Sequence, residues 1–259
     1  MNRINQLFET PKENLLSIYF CAGHPTLENT IPTLKALQSH GVDMVEIGIP
    51  FSDPMADGPV IQSAATKALR NGMSVRTLFR QLVGVREEGI TMPLILMGYL
   101  NPIMQYGFEN FCRDCQKCGI DGVIVPDLPF KDYQETYRPV ADSYGIRVIM
   151  LITPETSEER IRFIDENTDG FIYMVSSAAT TGAQKDFEEA KLAYFRRVAG
   201  MKLRNPRMIG FGISNKATFS AACAYSRGGI IGSRFVTLLE QTGGDADRAI
   251  EKLLEDLSK

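Results

Sequence analysis

The chain has 259 residues, 44% of them hydrophobic, with a net charge of −3 at pH 7 and a pI near 5.6. That length can bury a full core, the acidic balance excludes a broad basic face for nucleic acid, and no apolar run approaches the roughly 20 residues of a membrane span. MNRINQLFETPKEN lacks the apolar core of a signal peptide, and five cysteines fit a reducing cytoplasm better than a disulfide framework, so a cytoplasmic location is expected.

In chain order, NRINQLFE comes first, with Ile4, Leu7 and Phe8 on one face, and is expected as a short N-terminal helix. LLSIYFCAG (15–23) is the first apolar run of strand length, followed by ENTIPTLKALQSHG, a helix with Ile31, Leu34 and Leu37 on one face and Gly41 as its stop signal. MVEIGIP (44–50) and PLILMGYL (93–100) are the next two strand runs. The helical FENFCRDCQKCG leads to DGVIVPD (121–127) and RVIMLIT (147–153). SEERIRFIDEN then reads as helix, GFIYMVS (170–176), RMIGFGIS (207–214) and GGIIGS (228–233) as strands, and DADRAIEKLLEDLSK as a last helix with Asp245 as N-cap. Near-continuous hydrophobicity, instead of strict alternation, marks parallel strands covered on both faces. Eight strands alternating with helices at a repeat of roughly 30 residues, with no Pro/Ser-rich linker, predict one (β/α)8 TIM barrel over 1–259. The leading helix would plug the barrel's bottom.

Cys112, Cys115 and Cys118 have the spacing of an iron–sulfur run, but no clear fourth ligand exists beyond the isolated Cys21 and Cys223. On a helix, residues three apart climb about 4.5 Å per step, so they would not wrap one cluster. Ordinary reduced helix cysteines are expected.

In a barrel of this kind chemistry sits at the C-terminal ends of strands and in the loops that follow. EIGIPFSDPMADGP (46–59) places Glu46 near the end of the second strand and Asp57 in the loop behind it. A carboxylate in an apolar barrel mouth loses hydration and its pKa rises, whereas one in a wetter, hydrogen-bonded loop stays ionised. The two read as an acid/base pair with divided roles. The plainer alternative pairs Glu46 with a core arginine and makes Asp57 a turn cap. GFGIS and IIGSR end the seventh and eighth strands, where this fold commonly binds phosphate, with Gly212 and Gly232 for close backbone approach and Ser233 as a hydroxyl. TTGAQ adds Gly182. No lysine in the strand runs offers a Schiff-base nucleophile. His24 and His40 alone cannot make a metal cluster, so no metal is expected, and no nucleotide-binding glycine motif occurs.

EIGIPFSDPMADGPVIQSA resembles the signature of the tryptophan synthase alpha chain family. DGVIVPDLP, IYMVSSAATTG, GFGIS and IIGSR resemble that family's later segments in the right order, over essentially the whole chain. The resemblance implies a (β/α)8 lyase of L-tryptophan biosynthesis that cleaves indole-3-glycerol phosphate to indole and glyceraldehyde 3-phosphate. It implies no cofactor in this chain and an alpha2beta2 complex with a beta chain that carries pyridoxal phosphate. Carried over by motif, Glu46 is the acid/base, Asp57 holds the indole N–H and Tyr173 lies near the substrate. Tyr19, Met97, Tyr99, Ile124 and Phe211 face the indole, and Gly182, Gly212, Gly232 and Ser233 bind phosphate. Asp127 matches an aspartate ending the fourth strand. Asp53 and Pro54 would face the beta chain, and Thr181 would hydrogen-bond Asp57 when a lid closes.

This sequence departs from the family pattern at Ala179, where glycine is usual, at Ser177, where arginine is common, and at His24, where aspartate is common. Two rivals remain open on the sequence. A phosphosugar isomerase or indole-3-glycerol phosphate synthase would need a catalytic lysine or other strand-end acids. A non-catalytic activating barrel would not need Glu46, Asp57 and Tyr173 together.

Overall fold

The structure, a computed structural model, describes residues 1–176, 184–210 and 212–259, without the side chains of 184–188. Eight strands close into a barrel in sequence order. They are β1 (Leu15–Cys21), β2 (Met44–Gly48), β3 (Leu94–Met97), β4 (Gly122–Ile124), β5 (Arg147–Ile152), β6 (Ile172–Val175), β7 (Arg207–Gly210) and β8 (Gly228–Ile231). All neighbours are parallel, and β1 pairs with both β2 and β8. Each expected run contains its strand, which stops short of the end of the run. The surplus residues at the C-terminal ends build the barrel's mouth.

Strand side chains alternate between two cores, which is why the runs are apolar throughout. Ile18, Phe20, Val45, Ile47, Leu94 and Leu96 pack outward into the core shared with the helices. Leu15, Met44, Ile95, Ile124, Ile149, Tyr173, Met208 and Ile230 form a separate inner core. The four helices expected after strand runs are present as Thr30–Ser39, Phe108–Lys117, Glu158–Asn167 and Ala246–Ser258. Asp245 caps the last, accepting from the Arg248 N–H at 3.0 Å. Further helices include Pro59–Arg70, just behind Asp57, and Ser233–Gln241, directly after β8. Cys112, Cys115 and Cys118 are buried thiols against the outer core, and all five cysteines are free.

The leading helix, Arg3–Glu9, seals the bottom. Asn2 caps it through the Ile4 N–H at 2.9 Å. Ile4 is fully buried in the inner core, with Leu7 and Phe8 against it. Gly122 makes room, since a Cβ there would lie 2.8 Å from Ile4 Cδ1. Arg3 pairs with buried Asp121 at 3.1 Å, and Asp121 also takes Arg86 at 2.8 Å and the Leu94 N–H at 2.9 Å. The plug is thereby tied to β3 and to the start of β4. Among the described residues no helix is long and apolar enough to cross a membrane.

Truncating a buried aliphatic residue removes its transfer energy and leaves a cavity, together about 2–5 kcal/mol. Ile4→Ala is expected to lower unfolding stability by about that amount in urea titrations while substrate affinity, set at the opposite end, is unchanged. A loss below about 0.5 kcal/mol, the scale of an ordinary surface change, would show that Ile4 is not a core plug.

Candidate active site

β1 and β2 run in register with Tyr19 opposite Glu46. Glu46 is wholly excluded from water. Its Oε1 accepts a hydrogen bond from the buried Ser17 hydroxyl at 3.3 Å, and Oε2 has no hydrogen-bond partner among the described residues. Burial pushes its pKa up to about 8, with the Ser17 bond pulling weakly the other way. No arginine offsets that burial, so the plainer reading of Glu46 as half of a core ion pair does not hold. Its protonated form is the stable one at neutral pH.

Asp57 sits half-buried at the rim. The Tyr99 hydroxyl accepts the Ala56 N–H at 3.0 Å and hydrogen-bonds Asp57. The sequence suggests a carboxylate in a wetter, hydrogen-bonded loop; the hydrogen bond is present, but the site is drier than expected. Burial raises the Asp57 pKa, and the Tyr99 bond opposes the rise. Helix Pro59–Arg70 begins at Gly58 without a side-chain cap, so Asp57 is not a turn cap.

One packing device appears twice. Tyr19 on β1 lies across Gly48 of β2, where a Cβ would come 2.1 Å from its hydroxyl. Tyr173 on β6 lies across Gly210 of β7, where the distance would be 2.2 Å. In each case the glycine stands two residues beyond the tyrosine's register partner, Glu46 or Met208. Side chains lean along their strands, so only glycine leaves the ring space to lie down over the barrel floor. Burial holds both phenols well above their ordinary pKa, so they stay neutral.

These groups surround a cavity of about 250 Å³. A dry cavity of about 150 Å³ already holds a benzene, so the volume admits a bicyclic ring. Tyr19, Met97, Ile61, Tyr173 and Ile230 give it apolar walls, with Glu46 and Asp57 as its acids. Gly212, Gly232 and Ser233 also line it, on the side of β7 and β8. Gly212 has φ +74°, a conformation that favours glycine. Helix Ser233–Gln241 starts at Gly232 with no side-chain cap, leaving its first-turn amides for an anion.

Of the expected indole-facing residues, Tyr19 and Met97 line the cavity. Tyr99 instead supports the Asp57 loop, and Ile124 lies in the inner core. Phe211, Thr181 and Gly182, with Ser177 and Ala179, fall outside the described residues. Asp127 is a structural acceptor for the Leu100 N–H at 2.9 Å. Buried His24 joins Glu240 at 2.7 Å, away from the cavity. Asp53 is exposed beside Pro54 and the largely exposed Met55. Sequence reading missed Ser17 and Arg234. The period-two alternation Leu15, Ser17, Tyr19 carries the signal for the first, and the IIGSR motif itself for the second. Among the described residues no cluster of three His, Cys, Asp or Glu could hold a metal.

Fold and site together define a (β/α)8 barrel with a dry carboxylic acid, a rim carboxylate and an uncapped helix N-terminus around one cavity. The model of the family "Tryptophan synthase alpha chain" matches residues 6–259. The tryptophan synthase alpha chain of Phocaeicola vulgatus is 68% identical over 257 residues, 99% of each chain. A crystal structure of the tryptophan synthase alpha chain of Legionella pneumophila superposes with a TM-score of 0.87 at 32% identity, covering 99% of this chain and 96% of that one. A chain of the tryptophan synthase complex of Pyrococcus furiosus superposes with a TM-score of 0.84 at 33% identity, covering 95% and 98%. The chain belongs to the tryptophan synthase alpha chain family.

A carboxyl that keeps its proton in the folded state up to about pH 8, but loses it near 4.5 when unfolded, destabilises the fold as pH rises between those values. The slope is roughly 1.4 kcal/mol per pH unit. Glu46→Gln removes the titration. Its stability advantage over the parent chain is therefore expected to grow from pH 5 to pH 8 in urea titrations. A pH-independent difference would show that Glu46 ionises normally.

Proposed function

We propose that this cavity cleaves indole-3-glycerol phosphate to indole and glyceraldehyde 3-phosphate by a retro-aldol step, with Glu46 as the proton carrier. The observation that carries this reading is the carboxyl group of Glu46, wholly buried with the Ser17 hydroxyl as its partner and no cation paired with it, lining a ring-sized cavity.

The bond to be broken joins indole C3 to the glycerol chain. Glu46 gives its proton to C3, which interrupts the ring's aromaticity and leaves positive charge on the ring nitrogen. Asp57, oriented by Tyr99, accepts the acidified N–H and holds that charge. The Glu46 carboxylate then takes the proton of the adjacent glycerol hydroxyl. The carbon–carbon bond breaks, its electron pair restores the aromatic ring, and the hydroxyl carbon becomes the aldehyde. Glu46 ends as it began, protonated. Tyr19, Met97 and Tyr173 keep the ring's surroundings dry, which strengthens each of these interactions. Gly212, Gly232 and Ser233 take the phosphate at the other end, joined by Gly182 on the family pattern.

The same reading places a beta chain against the segment 53–58. Asp53, Pro54 and Met55 project there beside Asp57, so a partner seated on them would bias the geometry of the rim carboxylate. Thr181, on the family pattern, would meet Asp57 from the opposite loop. Pyridoxal phosphate belongs to the partner in this arrangement and plays no part in the steps above. The assembly is alpha2beta2 and cytoplasmic, in keeping with five free cysteines.

The test is indole release from indole-3-glycerol phosphate by the purified chain, with and without a beta chain. Wild type is expected to release indole and to slow above about pH 8, as the Glu46 proton is lost. Glu46→Gln keeps the shape but shuttles no proton, at an expected cost of about 10²–10⁴ in rate. Near-parental release by a folded Glu46→Gln chain would remove the mechanism.

A further inference from the structure

Among the described residues lining the cavity, Arg234 is the one cation, in a lining that also holds two carboxylic acids, Glu46 and Asp57. It is the second residue of helix Ser233–Gln241, next to the uncapped end where phosphate is read to bind. Its Nε and Nη2 both reach a single oxygen, Oδ2 of Asp256 on helix Ala246–Ser258, at 2.8 and 2.5 Å. Side-chain exposures of 35% and 30% leave the pair half in water. The guanidinium is thus pinned by one edge between the cavity and a second, open cavity lined by Ser214, Asn215, Asp256 and Lys259. Nη1 has no hydrogen-bond or ion-pair acceptor among the described residues.

We infer that Arg234 is a substrate-binding residue whose Nη1 edge takes the phosphate dianion, with Asp256 holding the guanidinium in place. The assignment rests on the reading of this cavity as the indole-3-glycerol phosphate site, and it adds to the helix N-terminus a full charge that the glycine motifs do not supply. A dianion entering this mouth meets Asp57 at the rim, and backbone amides offer only partial charges against it. A guanidinium presents fixed donors in one plane, suited to phosphate oxygens, and remains ionised throughout the working pH range. One edge satisfied by Asp256 and one edge free is the geometry of an anchored donor, not of a closed surface ion pair.

The test measures glycerol 3-phosphate binding by calorimetry, beside KM and kcat for indole-3-glycerol phosphate and inhibition by indole. Arg234→Met is expected to weaken glycerol 3-phosphate binding about tenfold, on the scale of one charge-assisted hydrogen bond. KM should rise by a similar factor, with a much smaller change in kcat. Indole, which carries no phosphate, should inhibit as before, and the salt dependence of glycerol 3-phosphate binding should flatten. Arg234→Lys should recover part of the affinity. Asp256→Asn keeps the guanidinium but loosens its anchor, so it should lose clearly less glycerol 3-phosphate affinity than Arg234→Met.

Unchanged glycerol 3-phosphate affinity in Arg234→Met would overturn the assignment. So would equal loss in Asp256→Asn, which would make Arg234 a strut between two helices. A parallel loss of indole binding would overturn it too, by marking a general disturbance of the cavity. These outcomes leave the cleavage reading intact, whereas a wild-type chain that binds no glycerol 3-phosphate would remove both.

Discussion

A carboxyl group held wholly out of water, with one serine hydroxyl as its partner, is the constraint around which this barrel is organised. Moving a carboxylate into such a place is costly unless a cation accompanies it, and none does. The group therefore keeps its proton, and the surrounding structure must keep water away. The bottom plug, the layered inner core and the two recumbent tyrosines all serve that end. Ile4 closes the barrel from below, and Tyr19 and Tyr173 cover the floor from above. Loss of either tyrosine ring would admit water to Glu46 and lower its pKa toward the ordinary carboxylate range.

The cavity has two ends with opposite requirements. In the proposed reading the acid end must be dry, and the phosphate end must present positive potential. Barrel topology places them one strand apart, because β1 pairs with β2 on one side and with β8 on the other. Tyr19 on β1 meets both. Its hydroxyl rests over Gly48 beyond Glu46, and a Cβ on Gly232 would lie 3.4 Å from its own Cβ and Cδ1. One ring therefore lies between Glu46 and Gly232, the residues proposed for proton transfer and for the anion. Asp57 stands at the rim between, where Tyr99 from the end of β3 fixes its loop.

Much of this was legible in the sequence, for physical reasons. Parallel strands covered on both faces must be apolar throughout, so eight runs announced eight strands. Glu46 stood out because a charge inside such a run has no solvent to go to. Asp57, Gly212, Gly232 and Ser233 were readable as strand-end and loop residues of that same pattern. Other features depend on pairings that no linear spacing reveals. The hydroxyl of Ser17 gains meaning only when register sets Tyr19 against Glu46, with Ser17 two residues below on the same inward face. Tyr99 looked like one more apolar wall until the fold brought its hydroxyl to Ala56 and Asp57. Arg234 and Asp256 lie on successive helices, 22 residues apart. The environment of Asp57 is drier than a glycine- and proline-rich loop suggests, because that loop hydrogen-bonds to Tyr99.

The protonation state of Glu46 is the claim on which the rest turns, and it is open to direct observation. Infrared difference spectra of wild type against Glu46→Gln isolate the carbonyl stretch of the protonated carboxyl, which disappears on ionisation. Followed from pH 5 to pH 10 in the ligand-free chain, that band is expected to persist through neutrality and to vanish with a midpoint near 8. A midpoint at about 4–5, where solvated glutamates titrate, would mean that water or a cation reaches Glu46, and would contradict its role as the acid.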